Sequence, residues 1–492
     1  MERSSGILMH ISSLPNRFGI GSIGQCAYDF VDFLAEAKQR YWQILPLGPT
    51  GYGDSPYQLF SASAGNPYFI DLDLLVADGL LLEEEVAAHL TAPGPVDYGR
   101  LYQQRFPLLR KAFARGRERD LEAQAAFGAA QGAWLEDYAL FMALKYHYGM
   151  GPFSQWPEAV RLRQPEALAQ LKQVCREDVA FYRYLQYLFY TQWDALRTYA
   201  KGKGIKLMGD LPIYVSMDSA DVWANPQAFQ LDGEGNPTRV AGVPPDYFSK
   251  DGQLWGNPLY DWESMKAQGY AWWLERLHNS MRLYDAVRID HFRGLESYWS
   301  VPAGEPTARN GAWMQGPGWD FIKAIQTAYP SLEVIAEDLG YLTPGVRKLL
   351  ADSGYPGMKV LQFAFDSREP SDYLPHTYPR NCVCYTGTHD NTTAAGWCAE
   401  ASGPDVAMAR QYLGVREGEG LAWAMIRGGM GSVADLFIAQ MQDYLGLGAE
   451  ARMNQPGTTA GNWRWRMAPG AASPALAQRI ARYTWMYGRC RQ

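Results

Sequence analysis

Short runs of apolar residues recur along the 492-residue chain, and each run is followed by Gly, Pro or Asp. This pattern is typical of buried strands that end in loops. It predicts eight strands: Gly6–Ile11, Tyr41–Leu47, Ile205–Leu211, Tyr284–Asp290, Leu332–Glu337, Met358–Phe365, Cys382–Thr386 and Ala434–Ile438. Because helical stretches lie between most of these runs, we predict an α/β fold, a closed (β/α)8 or TIM barrel. An open, doubly wound sheet is the alternative architecture.

The predicted strands are unevenly spaced, which indicates insertions into the barrel. The longest gap separates the second strand from the third, and its periodicity is mostly helical, so we interpret residues 75–200 as a helical insertion. Residues 212–270 are rich in Gly, Pro, Asp and aromatic residues and have weak periodicity. Long segments of this kind inside enzymes are usually functional, so we predict an irregular active-site loop subdomain there. We expect one catalytic domain, residues 1–492, that carries both insertions.

The composition argues against nucleic-acid-binding, membrane-spanning and disulfide-bonded proteins. Lys and Arg number 45 against 52 Asp and Glu, a net charge of −7 that disfavours a nucleic-acid partner. No window approaches the roughly 18 apolar residues of a membrane span, and the first residues lack the apolar core of a signal peptide. The six cysteines include no CxxC pair, so we expect reduced thiols and a soluble, cytoplasmic protein. Aromatic residues make up 14%, which fits either a large core or surfaces that pack on sugar rings.

Charged side chains stand at the ends of four predicted strands: Asp210, Arg288 with Asp290, Glu337, and His389 with Asp390. Arg288 and Asp290 are two residues apart on one strand, so they share a face. Two charges on one face of a buried strand are costly unless they are paired or used. Barrel enzymes place their catalytic groups at the C-terminal ends of the strands, so we predict the active site there.

Several carboxylates beside an arginine and two histidines suit cleavage of a glycosidic bond. That reaction needs one carboxylate below the anomeric carbon and a carboxylic acid above the leaving oxygen. A metal site could use Asp210, Asp290, His291 and Asp390, but neither HExxH nor repeated DxD spacing occurs, so no metal is expected. The segment Gly19–Gly24 matches GxGxxG but lacks the strand and the acidic residue of a dinucleotide site, which favours a tight glycine-rich loop.

The order of these residues resembles that of the α-amylase clan of barrels. More closely, the chain resembles the amylomaltases, the 4-α-glucanotransferases of glycoside hydrolase family 77. The matching stretches are Gly51–Gln58, Gly242–Phe248, Gly252–Tyr260, Gly357–Phe365, Thr386–Asn391 and Ala451–Pro456. The resemblance covers nearly the whole chain and is loose only around residues 80–180. It implies a (β/α)8 barrel without a separate C-terminal β-domain, and little chain remains after the eighth strand for one.

The resemblance also implies roles for individual residues. Asp290 would be the nucleophile, Glu337 the general acid/base and Asp390 the stabiliser of the transition state. Further contacts with sugar would come from Arg288, His291, His389, Asp210, Tyr57, Ser55, Gln253, Trp255 and Asn462. Tyr247 and Phe248 would lie on a mobile loop over the acceptor side, and Tyr52 would belong to a second, remote site that stacks on glucan.

The activity implied by the resemblance is transfer of α-1,4-glucan segments to another glucan or to glucose, without cofactor or metal. A retaining double displacement through a glucosyl-enzyme would carry it. Two alternatives stay open from the residues. An α-1,4-glucan hydrolase of the same clan would share every catalytic residue, and a non-catalytic glucan-binding protein would share the aromatic residues. Neither the oligomeric state nor a membrane or nucleic-acid partner is indicated by the sequence.

Overall fold

Eight parallel strands form a closed barrel at the centre of the protein. The computed structural model describes residues 2–51, 53–245, 249–340 and 342–490. With strands numbered along the chain, the barrel contains β1 Ser4–Leu8, β2 Tyr41–Gln43, β3 Lys206–Leu211, β6 Ala286–Ile289, β9 Glu333–Ala336, β10 Gly357–Val360, β11 Cys382–Tyr385 and β12 Leu436–Gln440. Their order is β10-β11-β12-β1-β2-β3-β6-β9. The N–H of Ala336 donates to the carbonyl of Pro356 at 2.9 Å and joins β9 to β10. The predicted barrel is therefore confirmed, and the open sheet is excluded.

Several strands end earlier than their apolar runs predict. Strand β1 stops at Leu8, and a short 3-10 helix, Ile11–Ser13, follows. Strand β10 stops at Val360, and the 3-10 helix Leu361–Phe363 follows. Ile11 and Leu361 are fully buried although they lie outside the strands. Hydrophobicity continues past the end of each strand because the turn that follows is also buried.

The barrel interior is filled by one cluster of apolar side chains, most of which come from the strands, while Leu45, Met453 and Trp463 lie outside them. It comprises Leu8, Tyr41, Leu45, Met208, Ala286, Ile335, Met358, Val360, Val383, Tyr385, Leu436, Ile438, Met453 and Trp463. A second, larger cluster lies on the outer side of the barrel, where strand side chains pack against the helices. This two-layer arrangement is the packing expected of a (β/α)8 barrel, whose lumen is a core and not a pore.

Helices surround the barrel and fill the connection between β2 and β3. They are α1 Gln25–Glu36, α2 Leu72–Ala77, α3 Glu83–Ala87, α4 Tyr98–Gly116, α5 Leu121–Gln131, α6 Ala133–His147, α7 Glu158–Arg161, α8 Pro165–Val174, α9 Arg176–Gly202, α10 Ala220–Ala224, α11 Trp262–Ala267, α12 Ala271–Leu283, α13 Gly318–Ala328, α14 Pro344–Ser353, α15 Ala394–Glu400, α16 Gly403–Leu413, α17 Leu421–Gly431, α18 Met441–Tyr444 and α19 Pro474–Met486. Helices α2 to α9 all lie between β2 and β3, and α6 packs along α9. The first and last helices, α1 and α19, pack together and close the outer ring.

A second, antiparallel sheet lies beside the barrel. It contains β4 Arg239–Val243, β5 Gln253–Pro258, β7 Ser297–Pro302 and β8 Ala312–Gln315, in the order β5-β4-β7-β8. Strands β4 and β5 come from residues 212–270, where the sequence predicts irregular structure. The register shifts between Val240 and Gly242, and this bulge hides the alternation that would reveal the strands. The partner strands come from a different connection, between β6 and β9.

The end of the described chain is helical. After β12, the described residues contain α18, a 3-10 helix Ala449–Ala451 and α19, with no further strand. Within the described ranges, no helix combines the length and the apolar character needed to cross a membrane.

Candidate active site

An arginine joins two carboxylates at the C-terminal end of the barrel. Asp210 in β3 lies opposite Arg288 in β6. The Nη1 of Arg288 donates to both carboxylate oxygens of Asp210, at 2.6 and 2.7 Å, and its Nη2 lies 2.9 Å from Oδ1 of Asp290. The Asp210 side chain is fully buried, whereas that of Asp290 is 29% exposed. The arginine therefore fixes both carboxylates and leaves Asp290 accessible to a ligand.

The charge of Asp290 is set by opposing effects. Burial raises its pKa to about 6, and Arg288 opposes that rise; Asp210 and Asp390 add to the rise, and His389 opposes it. A guanidinium within ion-pair distance favours the ionised form of a carboxylate. At neutral pH, Asp290 is therefore predominantly ionised and aimed by Arg288, as a nucleophile must be.

The Glu337 carboxylate, at the end of β9, is held by two backbone N–H groups. Its Oε2 accepts from the N–H of His291 and its Oε1 from the N–H of Leu339, both at 2.7 Å. Burial raises the pKa of Glu337 to about 7; the negative charge of Asp290 adds to the rise, and Arg288 and the two N–H donors oppose it. Burial therefore favours the protonated form of Glu337, whereas Arg288 forms a direct ion pair with Asp290. Two carboxyl groups in such different surroundings are the pattern of an acid beside a nucleophile.

The turn after β6 connects these two groups. His291 adopts a left-handed conformation with φ of 52°, which is uncommon for a residue with a side chain. This conformation points its N–H at Glu337, and the next residue, Phe292, donates its N–H to the Glu337 carbonyl at 3.0 Å. The His291 ring packs against Trp255, with 4.9 Å between ring centroids. Burial lowers the pKa of His291 to about 3, so its imidazole is neutral.

Asp390, after β11, has a partner for each carboxylate oxygen. Asn454 Nδ2 donates to Oδ1 at 2.6 Å, and His389 Nε2 lies 3.4 Å from Oδ2. Arg452 donates to the backbone carbonyl of Asp390 at 2.6 Å. Partial burial opposes ionisation, but His389, Asn454 and Arg288 outweigh it and lower the pKa of Asp390 to about 2. Asp390 is therefore a fixed negative charge.

Tyr57 contacts both Asp210 and His389. Its hydroxyl donates to Oδ2 of Asp210 at 2.7 Å. Its ring stacks on that of His389, with 5.0 Å between centroids and 18° between planes. Burial opposes protonation of His389, but Asp390 outweighs it and raises the pKa of that imidazole. The structure thus brings Tyr57, His389 and Asp210 together. Their role as sugar contacts, which the resemblance implies, stays a prediction.

The other predicted contact residues lie farther from the carboxylates. Gln253 Oε1 accepts from the indole Nε1 of Trp255 at 3.1 Å, so it reaches the site through that ring. Ser55 accepts from the N–H of Tyr57 at 3.2 Å, and Asn462 accepts from the N–H of Gln455 at 2.9 Å. These are local turn contacts. Tyr52, Tyr247 and Phe248 lie outside the described residues.

Three residues that support the site are not singled out by the sequence analysis. Asn454 and Arg452, which hold Asp390, belong to the stretch Ala451–Pro456 that carries the family resemblance, and that stretch was their only signal. The third is Asp443, a fully buried carboxylate in α18. It accepts from the Thr386 hydroxyl at 2.5 Å and from the N–H of Ala394 at 2.7 Å. It therefore holds both ends of the segment that carries His389 and Asp390.

Metal binding finds no support in the described part of the chain. No group of three or more His, Cys, Asp or Glu side chains there is arranged to hold an ion. The charges of the site are balanced by Arg288 and by backbone N–H groups instead. The expectation that no metal is needed stays a prediction.

Comparison with known proteins connects this geometry to one family. A family model described as 4-alpha-glucanotransferase matches residues 9–472. The 4-alpha-glucanotransferase of Clostridium butyricum is 48% identical over 98% of this chain and 100% of its own length. That of Thermus thermophilus is 49% identical over 98% of both chains. Among solved structures, the amylomaltase from Streptococcus agalactiae in complex with acarbose superposes with a TM-score of 0.97, at 40% identity over 100% of both chains.

Proposed function

Because the chain belongs to the 4-alpha-glucanotransferase family, glycoside hydrolase family 77, we propose that Asp290, Glu337 and Asp390 carry its transfer of α-1,4-glucan segments. Asp290 is the nucleophile, Glu337 the acid and base, and Asp390 the stabiliser of charge on the sugar. The observation that supports this most directly is the ion pair at 2.9 Å between Arg288 and the accessible Asp290 carboxylate.

In the first step, an oxygen of Asp290 attacks the anomeric carbon of the donor. The bond from that carbon to the leaving O4 breaks, and Glu337 transfers its proton to that oxygen. A glucosyl ester on Asp290 results, and the shortened glucan leaves. The raised pKa of Glu337, about 7, keeps the required proton in place near neutral pH.

In the second step, the 4-hydroxyl of an acceptor attacks the ester. Glu337, now ionised, removes the hydroxyl proton, and Asp290 is released as a carboxylate. Two inversions retain the α configuration. Asp390 stays ionised throughout because His389 and Asn454 lower its pKa to about 2, so it can offset positive charge that develops on the sugar ring.

Acceptor choice separates this reaction from hydrolysis. We propose that α-1,4-glucans and glucose serve as acceptors, and that aromatic residues of 212–270, including Tyr247 and Phe248, keep water from a productive position. We retain residues 75–200 and 212–270 as two insertions in one catalytic domain. We also propose a cytoplasmic location, supported by six cysteines that are all unpaired.

The nucleophile is tested with Asp290→Ala. We expect transfer from maltotriose to fall by about 10⁴-fold or more, with an unchanged circular dichroism spectrum, because the covalent route is lost. Asp352→Ala is the control, since its side chain is 42% exposed on α14. Glu337→Gln incubated with α-glucosyl fluoride should accumulate a glucosyl ester on Asp290, detectable by mass spectrometry. Transfer by Asp290→Ala above about a tenth of wild type, or an ester on another residue, would remove Asp290 from this role.

A further inference from the structure

The outer edge of the second sheet exposes large apolar side chains. All four residues of β8 are exposed, and Trp313 and Met314 expose 43% and 45% of their surface. Trp319, which follows β8, is 42% exposed. Single exposed apolar residues are common on protein surfaces, so the surroundings of each side chain decide whether it marks a binding surface.

Trp313 is held rigidly although it is exposed. The guanidinium carbon of Arg293 lies 4.2 Å from the centre of its ring, and Arg293 itself is buried. Trp299 on β7 packs edge-on against the same ring, with 5.3 Å between centroids and 68° between planes. The Trp299 indole donates to the carbonyl of Ala308 at 2.8 Å and is thereby fixed. Trp313 is thus a preorganised aromatic side chain, held by a cation over its ring and by Trp299, with 43% of its surface left exposed.

The Trp313 side chain is connected to the active site. Arg293 follows Asp290 by three residues, in the turn whose His291 packs against Trp255. Trp255 lies on β5 and Trp313 on β8, the two outer strands of one sheet. Strands in a sheet lie about 4.8 Å apart, so three spacings, about 14 Å, separate the two strands. Both tryptophans therefore contact the turn that follows the nucleophile, one near the cleavage point and one remote from it.

We propose that Trp313 is a remote subsite that binds α-1,4-glucan chains too long to be held by the catalytic centre alone. The CH groups of a glucose ring pack on an indole face. In the described part of the chain, β8 pairs only with β7, so its other edge offers backbone N–H and C=O groups to sugar hydroxyls. The proposal rests on the function proposed above and adds chain-length selectivity to it.

The test compares donors of different length. For Trp313→Ala, we expect the ratio of KM for maltoheptaose to KM for maltotriose to rise about tenfold over wild type, the loss of about 1.4 kcal/mol of binding. Trp313→Tyr keeps an aromatic face, so its KM ratio should stay close to the wild-type value. Trp485→Ala is the matched control, because this tryptophan is 62% exposed on α19, and its ratio should stay at the wild-type value.

Each other outcome overturns the proposal. An unchanged ratio in Trp313→Ala would show that long chains do not use the ring. An equal fall of kcat with both donors would mean that Trp313 acts through Arg293 on the nucleophile. A concentration-dependent dimer of the wild type, lost in Trp313→Ala by light scattering, would assign the patch to a second copy. Absence of any transfer by the wild type would instead contradict the proposed function itself.

Discussion

Replacement of Glu337 by Gln should raise the stability relative to wild type more at pH 8 than at pH 5, while it abolishes transfer. The pKa of Glu337 is about 7 in the folded protein, against an ordinary value of 4.5. Below pH 4.5, the group is protonated in both the folded and the unfolded chain, so it has no effect on the free energy of unfolding. As pH rises from 4.5 to 7, the unfolded chain ionises first and the folded state becomes relatively less stable. Above pH 7 the destabilisation is constant.

The size of the effect follows from these two pKa values, 4.5 and about 7. The ionisable group destabilises the fold by about 1 kcal/mol at pH 5 and about 3 kcal/mol at pH 8. Gln removes this dependence. Its amide NH2 must face one of the two backbone donors, at a cost of about 1–3 kcal/mol that does not change with pH. The stability of Glu337→Gln relative to wild type should therefore rise by about 2 kcal/mol between pH 5 and pH 8.

Thermal unfolding measures this change. The unfolding entropy is about 2.1 cal/mol/K per residue, or about 1 kcal/mol/K for this chain, so 2 kcal/mol corresponds to about 2 °C in Tm. Glu118→Gln is the control, because that side chain is 83% exposed, and its Tm difference should be the same at both pH values. A Tm difference between Glu337→Gln and wild type that does not change with pH would refute the reasoning, since Glu337 would then not hold its proton near neutral pH.

Three further outcomes are expected. Asn454→Ala removes a hydrogen bond of 2.6 Å to the charged Asp390. The kcat with maltotriose should therefore fall about 10- to 150-fold, the equivalent of about 1.5–3 kcal/mol. Asn381→Ala on the exposed surface is the control, and an unchanged kcat in Asn454→Ala would contradict the role of Asn454 in holding Asp390. Phe248→Ser should raise the share of glucosyl-enzyme captured by water about five- to thirtyfold, for about 1–2 kcal/mol of lost acceptor binding; an equal slowing of transfer and hydrolysis would argue against a lid. Transfer should survive EDTA, and its loss with recovery on adding one divalent ion would overturn the metal-free mechanism.

The clustering of Asp290, Glu337 and Asp390 could be predicted because the C-terminal ends of parallel strands meet at one rim of a barrel. Asp290, Glu337 and Asp390 each follow an apolar run, and that position alone brings them together. Arg288 was also predictable, since a charge two residues before Asp290 must share its face. The ion pair of 2.9 Å between them is the arrangement that this spacing implies.

The second sheet could not be predicted by the same reasoning. Its strands β4 and β5 are short, contain Gly242 and Gly256, and pair with a register shift. Their partners, β7 and β8, lie after β6, in another connection. Neither the pair β4–β5 nor the pair β7–β8 would be a stable sheet alone, because two strands leave too many backbone groups unpaired. The four strands therefore depend on pairing between distant parts of the chain. Asp443 could not be predicted either, because a single carboxylate three residues after β12 is not part of any local sequence pattern that indicates a function.

Under the proposed mechanism, the charges around Glu337 explain how this residue can act first as acid and then as base. Part of the rise in the pKa of Glu337 comes from the negative charge of Asp290, and Arg288 opposes it. When Asp290 becomes a glucosyl ester, its negative charge disappears while Arg288 stays, paired with the buried Asp210 at 2.6 Å. The pKa of Glu337 must then fall, because the repulsive neighbour is gone and the attractive one remains. Glu337 has just given its proton to the leaving chain, so it stays ionised as the base that the acceptor hydroxyl requires. Transfer of the glucosyl group to the acceptor returns the charge to Asp290 and raises the pKa of Glu337 again, which resets the site for the next donor.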